Sequence, residues 1–225
     1  TNGKPVAVLC KKIEQATNDL TGAQGFTAAQ VGSAKVWTFS YNRLGQILSE
    51  TRLGREGSGG DATTSAYYED STASHTLGDL WKTTNPKGHI KEFLEYNSAG
   101  LATKIKEPDG RLTLLAYNVR HQLTRQVLAA GTDAEQPTDF AYDPVGQLIK
   151  VTAPDGSIIM YGYDQAHRLT KITDSIGNSI SYNLDSAGNR VQEEIHDSTG
   201  TLVRNISRTY DALNRLQDVA EGVKQ

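Results

Sequence analysis

A tyrosine followed by Asp or Asn recurs along the chain, and this repeat limits the available folds more than any other feature. The steps from 96 to 117, from 142 to 163 and from 163 to 184 are each 21 residues long. Longer steps carry their extra residues in polar stretches, which we interpret as loop insertions. A fixed period of roughly 20–50 residues is typical of an array of small structural units. The marker tyrosines are Tyr41, Tyr96, Tyr117, Tyr142, Tyr163 and Tyr210, and Leu184 occupies the same position in one further unit.

One unit, residues 142–163, is typical of two short strands and two turns. Asp143–Gly146 has Asp, Pro and Gly where a type I turn prefers them, and Ala153–Gly156 repeats the turn signal. The segments between the turns are rich in β-branched and aliphatic residues and alternate between two faces. Gly or Pro interrupts the chain about every ten residues, which limits any helix to marginal length. We therefore expect an all-β fold of tandem antiparallel β-hairpin repeats.

The regularity of the repeat varies along the chain. Residues 1–36 form an irregular N-terminal part, with one strand and a Gly-rich loop, and residues 37–95 contain degenerate repeats with long loops. Residues 96–225 contain regular hairpin repeats, of which the last is truncated. We expect Gly-rich loops at 21–34 and 54–64 and, between Tyr67 and Leu80, a hairpin with a long turn.

The internal alternation predicts which residues are buried. The residue two before each marker shares its face, and the sixth residue after it is aliphatic. We expect these aliphatic residues to be core anchors: Ile47, Leu123, Leu148, Leu169 and Leu216.

Composition excludes several classes of protein. The formal net charge of -3 is too small to imply nucleic acid as a partner. Cys10 is the only cysteine, which rules out an intramolecular disulfide and a thiolate metal cage. No apolar stretch approaches the ~18 residues that a membrane-spanning helix needs. We predict no nucleic-acid partner and no membrane span in this chain.

The polar residues give no catalytic pattern. The five histidines are far apart, and we expect them to be solvated turn residues. Asp143, Asp164, Asp185 and Asp211 recur at one repeat position, so we interpret them as turn caps that accept a bond from the backbone two residues on. The Gly-rich segment 54–60 lacks the Gly-Lys-Ser/Thr ending of a phosphate loop. We predict no catalytic residue, no cofactor and no metal site, and hence no enzyme.

Basic residues recur at a second repeat position. Lys104, Arg125, Lys150 and Lys171 lie eight residues after the marker position, and Lys82 lies two residues after Leu80 in the equivalent place. In strands that are in register, these side chains would form a basic row on one face. Such a row is solvated, interleaved with acids, or matched to an anionic ligand. A face that combines the tyrosines with these cations could bind acidic or sulfated glycans.

Several units together resemble a known family. YDPVGQLIKVTAPDG at 142–156, YDQAHRLTKITDSIG at 163–177 and YDALNRL at 210–216 resemble the Rhs or YD repeats. These occur in bacterial Rhs proteins, wall-associated proteins, C subunits of toxin complexes and animal teneurins. The resemblance covers roughly residues 37–219. It implies that the hairpins form a curved strip, an arc of a hollow β-shell that in the toxin members encloses a C-terminal effector.

The resemblance also implies a function and partners. We expect a structural scaffold in a secreted or cell-surface bacterial protein, whose partners are the remainder of its parent chain and an enclosed effector. Asp143–Gly146 matches part of the family's self-cleavage motif but lies in a repeat turn, so we do not interpret it as a protease site. Open strand edges would favour a homo-oligomer. The alternative is a module that binds carbohydrate or a protein partner through its Tyr and Lys/Arg faces.

Overall fold

The structure is a computed structural model that describes residues 7–53 and 60–223. The chain divides into two units, Thr1–Thr113 and Leu114–Gln225. The first contains the 3-10 helix η1 (Gly25–Thr27) and the strands β1 (Lys11–Thr17), β2 (Gln30–Tyr41), β3 (Ile47–Leu53), β4 (Asp61–Tyr67), β5 (Leu80–Thr84), β6 (Ile90–Tyr96) and β7 (Ala102–Lys106). Strand β8 (Leu112–Tyr117) begins at the end of this unit. The second contains β9 (Leu123–Ala130), β10 (Gln136–Tyr142), β11 (Leu148–Thr152), β12 (Ile158–Tyr163), β13 (Leu169–Asp174), β14 (Ser179–Leu184), β15 (Arg190–His196), β16 (Leu202–Tyr210) and β17 (Leu216–Val223).

The strands pair in chain order. In the first unit each strand from β1 to β7 is antiparallel to the next. The second unit repeats this arrangement from β9 to β17. The expected all-β fold of tandem antiparallel hairpins is confirmed.

The four-residue turns form as the sequence predicts. Gly146 N donates to Asp143 O at 3.0 Å, and the Asp143 carboxylate accepts from the backbone of Val145 at 3.0 Å and of Gln147 at 2.8 Å. Gly146 has a φ of 97°, so the type I turn is followed by one left-handed residue, as in three-residue hairpin loops. His121, His167 and Asn214 take this left-handed position in three other turns.

A β-bulge follows the marker position in most of the hairpins. Ala141 lies opposite Lys150 and Tyr142 opposite Leu148, which leaves Ile149 without an opposite residue. Such a bulge increases the local twist of the strand pair. The same register shift leaves these residues unpaired in the other hairpins: Leu48, Trp81, Thr103, Thr170, Val191 and Gln217.

The second unit has two unlike faces. Directly opposite residues share a face, and Tyr161, Ile172, Ile180 and Ile195 lie opposite one another across β12 to β15. We call this side the apolar face. The other side, the polar face, carries another such row: Gly162, Lys171, Ser181 and Glu194.

Few side chains are buried. Among the described residues the buried apolar ones are Ile105, Ala129, Ala130, Tyr182 and Ile206, and no large side chain is fully buried. The strands thus pack mainly against their neighbours within a sheet, and the sheet faces stay open.

Three expectations about local structure have different outcomes. The hairpin with a long turn is confirmed, because Tyr67 lies opposite Leu80. The expected loops were wrong at 30–34 and 61–64, where β2 and β4 begin; pairing with β1 and β3 overrides the weak local strand preference. Residues 54–59 lie outside the described residues. The core-anchor prediction was wrong for Ile47 and Leu216, which are exposed.

Candidate functional site

The marker tyrosines connect successive hairpins through their hydroxyl groups. Tyr163 OH donates to Leu148 O at 2.8 Å, and Tyr142 OH donates to Leu123 O at 2.8 Å. In both cases the acceptor is the first residue of the strand that follows the preceding marker turn. Four further hydroxyl groups donate to main-chain carbonyl groups: those of Tyr41, Tyr67, Tyr96 and Tyr210.

Tyr67 is a further marker tyrosine. Sequence reasoning missed Tyr67 as a marker, since Tyr68 follows it where other units have Asp or Asn. The period would have found it, because Tyr67 lies 26 residues after Tyr41, a step similar to that from 184 to 210.

Burial, supplemented by Asp79 and Tyr68, raises the pKa of Tyr96 to about 12. Burial also raises the pKa of Tyr117, at the end of β8.

A second set of bonds joins neighbouring turns. Gln122 Nε2 donates to Gly146 O at 2.8 Å, Gln147 Nε2 to His167 O at 2.9 Å, and Arg168 Nη1 to Asp185 O at 2.9 Å. These donors are the first residues after the four-residue turns, where Gln or Arg recurs in the sequence. Sequence reasoning missed this role, although the recurrence of Gln or Arg was the available signal.

The structure places the predicted basic residues on β5, β7, β9, β11 and β13. Lys104 Nζ is 2.9 Å from Glu95 Oε1, and Arg125 Nη1 is 2.9 Å from Asp139 Oδ1. Lys82 Nζ lies 4.2 Å from the centroid of the Trp81 ring. These three cations therefore have partners in the chain.

Lys150 and Lys171 differ from those three. Lys150 lies opposite Ala141 and Met160, and Lys171 lies opposite Gly162 and Ser181. Neither lysine forms an ion pair with any described residue. These two are the cations of the proposed row that remain available to an anionic ligand.

The equivalent cations are staggered along the strands. The position level with Lys150 on β13 is Thr173, two residues beyond Lys171. Two residues correspond to about 6.8 Å along a strand, and two strand spacings to about 9.6 Å, so these positions are about 12 Å apart. This distance exceeds the screening length of about 8 Å at physiological salt. The row is therefore diagonal, and its internal repulsion is weak.

The histidines lie in different local environments. The described residues contain no group of three or more His, Cys, Asp or Glu that could hold a metal ion. His121 and His167 are exposed turn residues, as expected. The expectation was wrong for His196, which is half-buried in β15, and for His75, whose ring stacks on Tyr68 at a centroid distance of 3.5 Å.

The first unit contains a groove where the repeat is interrupted. Residues 68–79 connect β4 to β5 as a loop instead of a four-residue turn. This loop, the turn before β3, and strands β3 to β5 line a cavity of about 740 Å³. Sequence reasoning identified the long turn but not the groove.

Sequence comparison identifies the repeats. The family model described as RHS Repeat matches residues 96–133, 142–175 and 163–202. Residues 96–133 and 142–202 carry Rhs repeats. In the second unit, the matches at 142–175 and 163–202 each include two marker turns with their flanking strands, and the repeats together build a β-hairpin scaffold.

Solved structures show the same fold. A crystal structure of TcdB2-TccC3-TEV is 17% identical, covers 99% of this chain and 13% of its own, and has a TM-score of 0.63. A Photorhabdus luminescens Tc holotoxin pore with a mutation in TccC3 is 16% identical, with the same coverages and TM-score. The chain thus spans about an eighth of the length of those chains. No curated protein matches its sequence. Across the described residues, no helix is long and apolar enough to cross a bilayer.

Proposed function

We propose that this chain is a length of wall in a hollow β-shell, part of a longer, secreted bacterial protein whose shell encloses or presents a toxin effector. Its role is structural and requires no catalysis or cofactor. The observation that carries the proposal is that, within each unit, the hairpins lie side by side in one sheet whose side chains are mostly half-buried or exposed. The fold shared with TccC3-containing toxin structures over 99% of the chain supports it.

The apolar face indicates which side of the wall is enclosed. Tyr161, Ile172, Ile180 and Ile195 are only half-buried within the chain. A sheet face of this kind is stable when another layer or an enclosed volume removes it from bulk water. The polar face, with Lys171 and Glu194, suits contact with solvent. The proposed orientation thus places the apolar face inward.

Cysteine labelling tests this orientation in the full-length natural protein. Ile180→Cys and Ser181→Cys, each in a Cys10→Ser background, place a thiol on opposite faces at neighbouring positions of one strand. We expect a maleimide carrying a bulky polyethylene glycol to label position 181 quickly and position 180 only after denaturation. The 225-residue chain alone is the matched control, and there both thiols should react. Equal labelling of both positions in the full-length protein would refute the proposed wall.

A second candidate function is recognition of acidic glycans. Lys150 and Lys171 favour it, because they lack ion-pair partners among the described residues. In this case Lys150→Gln with Lys171→Gln would abolish salt-sensitive retention on a sulfated-glycan column. Lys104→Gln with Arg125→Gln, a matched control of equal charge, would retain more of it. The wall proposal expects no retention of the native chain at moderate salt.

A further inference from the structure

The loop 68–79 is held firmly in place between two neighbouring hairpins. Gly78 O accepts a bond from Gln46 Nε2 at 2.6 Å on one side. Ser74 O accepts one from Tyr96 N at 2.7 Å on the other. Hydrogen bonds to main-chain carbonyls on both sides fix the loop, so the groove beside it is a preformed feature of the first unit.

Four large apolar side chains around this groove are open to solvent. Their exposed fractions are 59% for Leu44, 37% for Leu48, 61% for Leu77 and 38% for Trp81. Leu48 and Trp81 are the bulge residues of their hairpins. The cavity of about 740 Å³ is within the range of small-molecule sites, which are largely apolar. The groove can thus bury an apolar group of ligand size.

Most of the polar groups that line the groove, apart from Glu69 and Ser65, are already engaged. The hydroxyl groups of Tyr67 and Tyr68 donate to main-chain carbonyl groups at 2.8 Å and 2.9 Å. Asn42 Nδ2 donates to Gln46 Oε1 at 2.7 Å. A sugar, which needs several free donors and acceptors, therefore does not suit this groove.

The charge and the aromatic character of the groove lining indicate that its ligand is a cation. Glu69 lines the groove and has no partner among the described residues, and no Lys or Arg is among the lining residues. Asp70 and Asp79 lie on the same loop. The ring of Trp81 already attracts a cation, since Lys82 Nζ lies 4.2 Å from its centroid. An ammonium group in the groove would meet both a carboxylate and an electron-rich ring.

We propose that the groove formed by Leu44, Leu48, Leu77, Trp81 and Glu69 binds an organic cation with an apolar body, such as an alkylammonium compound. The apolar body lies against the leucines, and the cationic head lies between Glu69 and the Trp81 ring. This binding activity goes beyond the wall function and does not depend on it.

Three probes with the same hexyl chain test the proposal by calorimetric titration of the 225-residue chain. Hexyltrimethylammonium is cationic, hexanol is neutral and hexanesulfonate is anionic. The expected order of affinity is cation, then alcohol, then sulfonate. Equal binding of cation and alcohol would overturn the charge assignment, and no binding of any probe would overturn the site.

Variants locate the binding and separate it from a change in folding. Glu69→Gln should weaken hexyltrimethylammonium binding by up to about fivefold, and Trp81→Leu should weaken it about two- to fivefold. Lys82→Met should strengthen it, because the competing cation leaves the ring. Asp133→Asn, a charge change outside the groove, is the matched control and should have no effect. Unchanged affinity in both Glu69→Gln and Lys82→Met would overturn the proposal.

Discussion

The hydroxyl group explains why the marker residue is tyrosine and not another large apolar residue. Its ring fills a half-buried position, while its O–H reaches a main-chain carbonyl of the preceding hairpin, as Tyr163 reaches Leu148 at 2.8 Å. A hydrogen bond of this kind contributes about 0.5–1.5 kcal/mol net. The sequence predicts the marker positions by their period. It could not predict the acceptors, because the register between hairpins decides which carbonyl lies within reach.

Leu184 occupies a marker position without a hydroxyl group. The equivalent acceptor there is the carbonyl of Leu169, the first residue of β13. Leu184→Tyr should raise the free energy of unfolding by about 1 kcal/mol, since it adds this bond. Urea unfolding measures the change, with Leu184→Phe as the control that adds a ring alone. Equal stability of the Tyr and Phe variants would contradict the proposed role of the hydroxyl.

The raised pKa of Tyr96 predicts that the folded chain loses stability at alkaline pH. Its pKa is about 12 in the folded chain and about 10 in an unfolded one. Below pH 10 both states hold the proton, so the contribution of Tyr96 to the free energy of unfolding is fully present. As the pH rises from 10 through 12, the unfolded state loses its proton first, and this contribution is lost. Tyr96→Phe should flatten this decline in urea unfolding measured between about pH 10 and pH 12. An identical slope in both proteins would contradict the assignment.

At the level of the hairpin, some features follow from the local sequence and others depend on the pairing of strands. The sequence predicts the Asp-capped type I turns because Asp, Pro and Gly positions are local signals. The bulges and the stagger of Lys150 and Lys171 depend on pairing between strands, so local signals do not reveal them. The groove beside the loop 68–79 was missed for a related reason. Its lining comes from separate segments that only the folded sheet brings together.

The left-handed turn position should tolerate glycine far better than alanine. Gly156 has a φ of +82°, and a Cβ added there would have no other atom within 4 Å, so a substitution changes backbone strain alone. Gly156→Ala should lower the free energy of unfolding by about 1–2 kcal/mol. Gly222→Ala, at an equally open position without a positive φ, is the matched control and should not destabilise. Equal effects in urea unfolding would show that turn strain is unimportant.

At the level of the whole molecule, the open strand edge is the main consequence of the repeat. Within the second unit, β17 has β16 as its only strand neighbour among the described residues. Leu216 and Val219 on β17 are about half exposed, at 54% and 50%. In the proposed shell, a further segment of the protein would cover this edge. In the chain alone, we expect this edge to pair with another copy.

Charges on β17 should suppress self-association of the chain alone. Leu216→Lys with Val219→Lys should shift sedimentation velocity profiles towards the monomer, since charged edge residues disfavour pairing. Val119→Lys with Val145→Lys adds the same charge at exposed turn positions and should leave association unchanged. Equal effects of the two double variants would assign the association to charge and not to the edge.

A cryo-electron microscopy map of the full-length natural protein would show directly whether these strands form a shell wall. The wall proposal predicts that strands β9 to β17 form a single layer in the wall of a closed cavity, with Ile180 facing the cavity and Ser181 facing solvent. It also predicts that a strand from elsewhere in the protein pairs with β17. A map in which the apolar face packs against a second layer, or in which no cavity lies behind the sheet, would contradict the account.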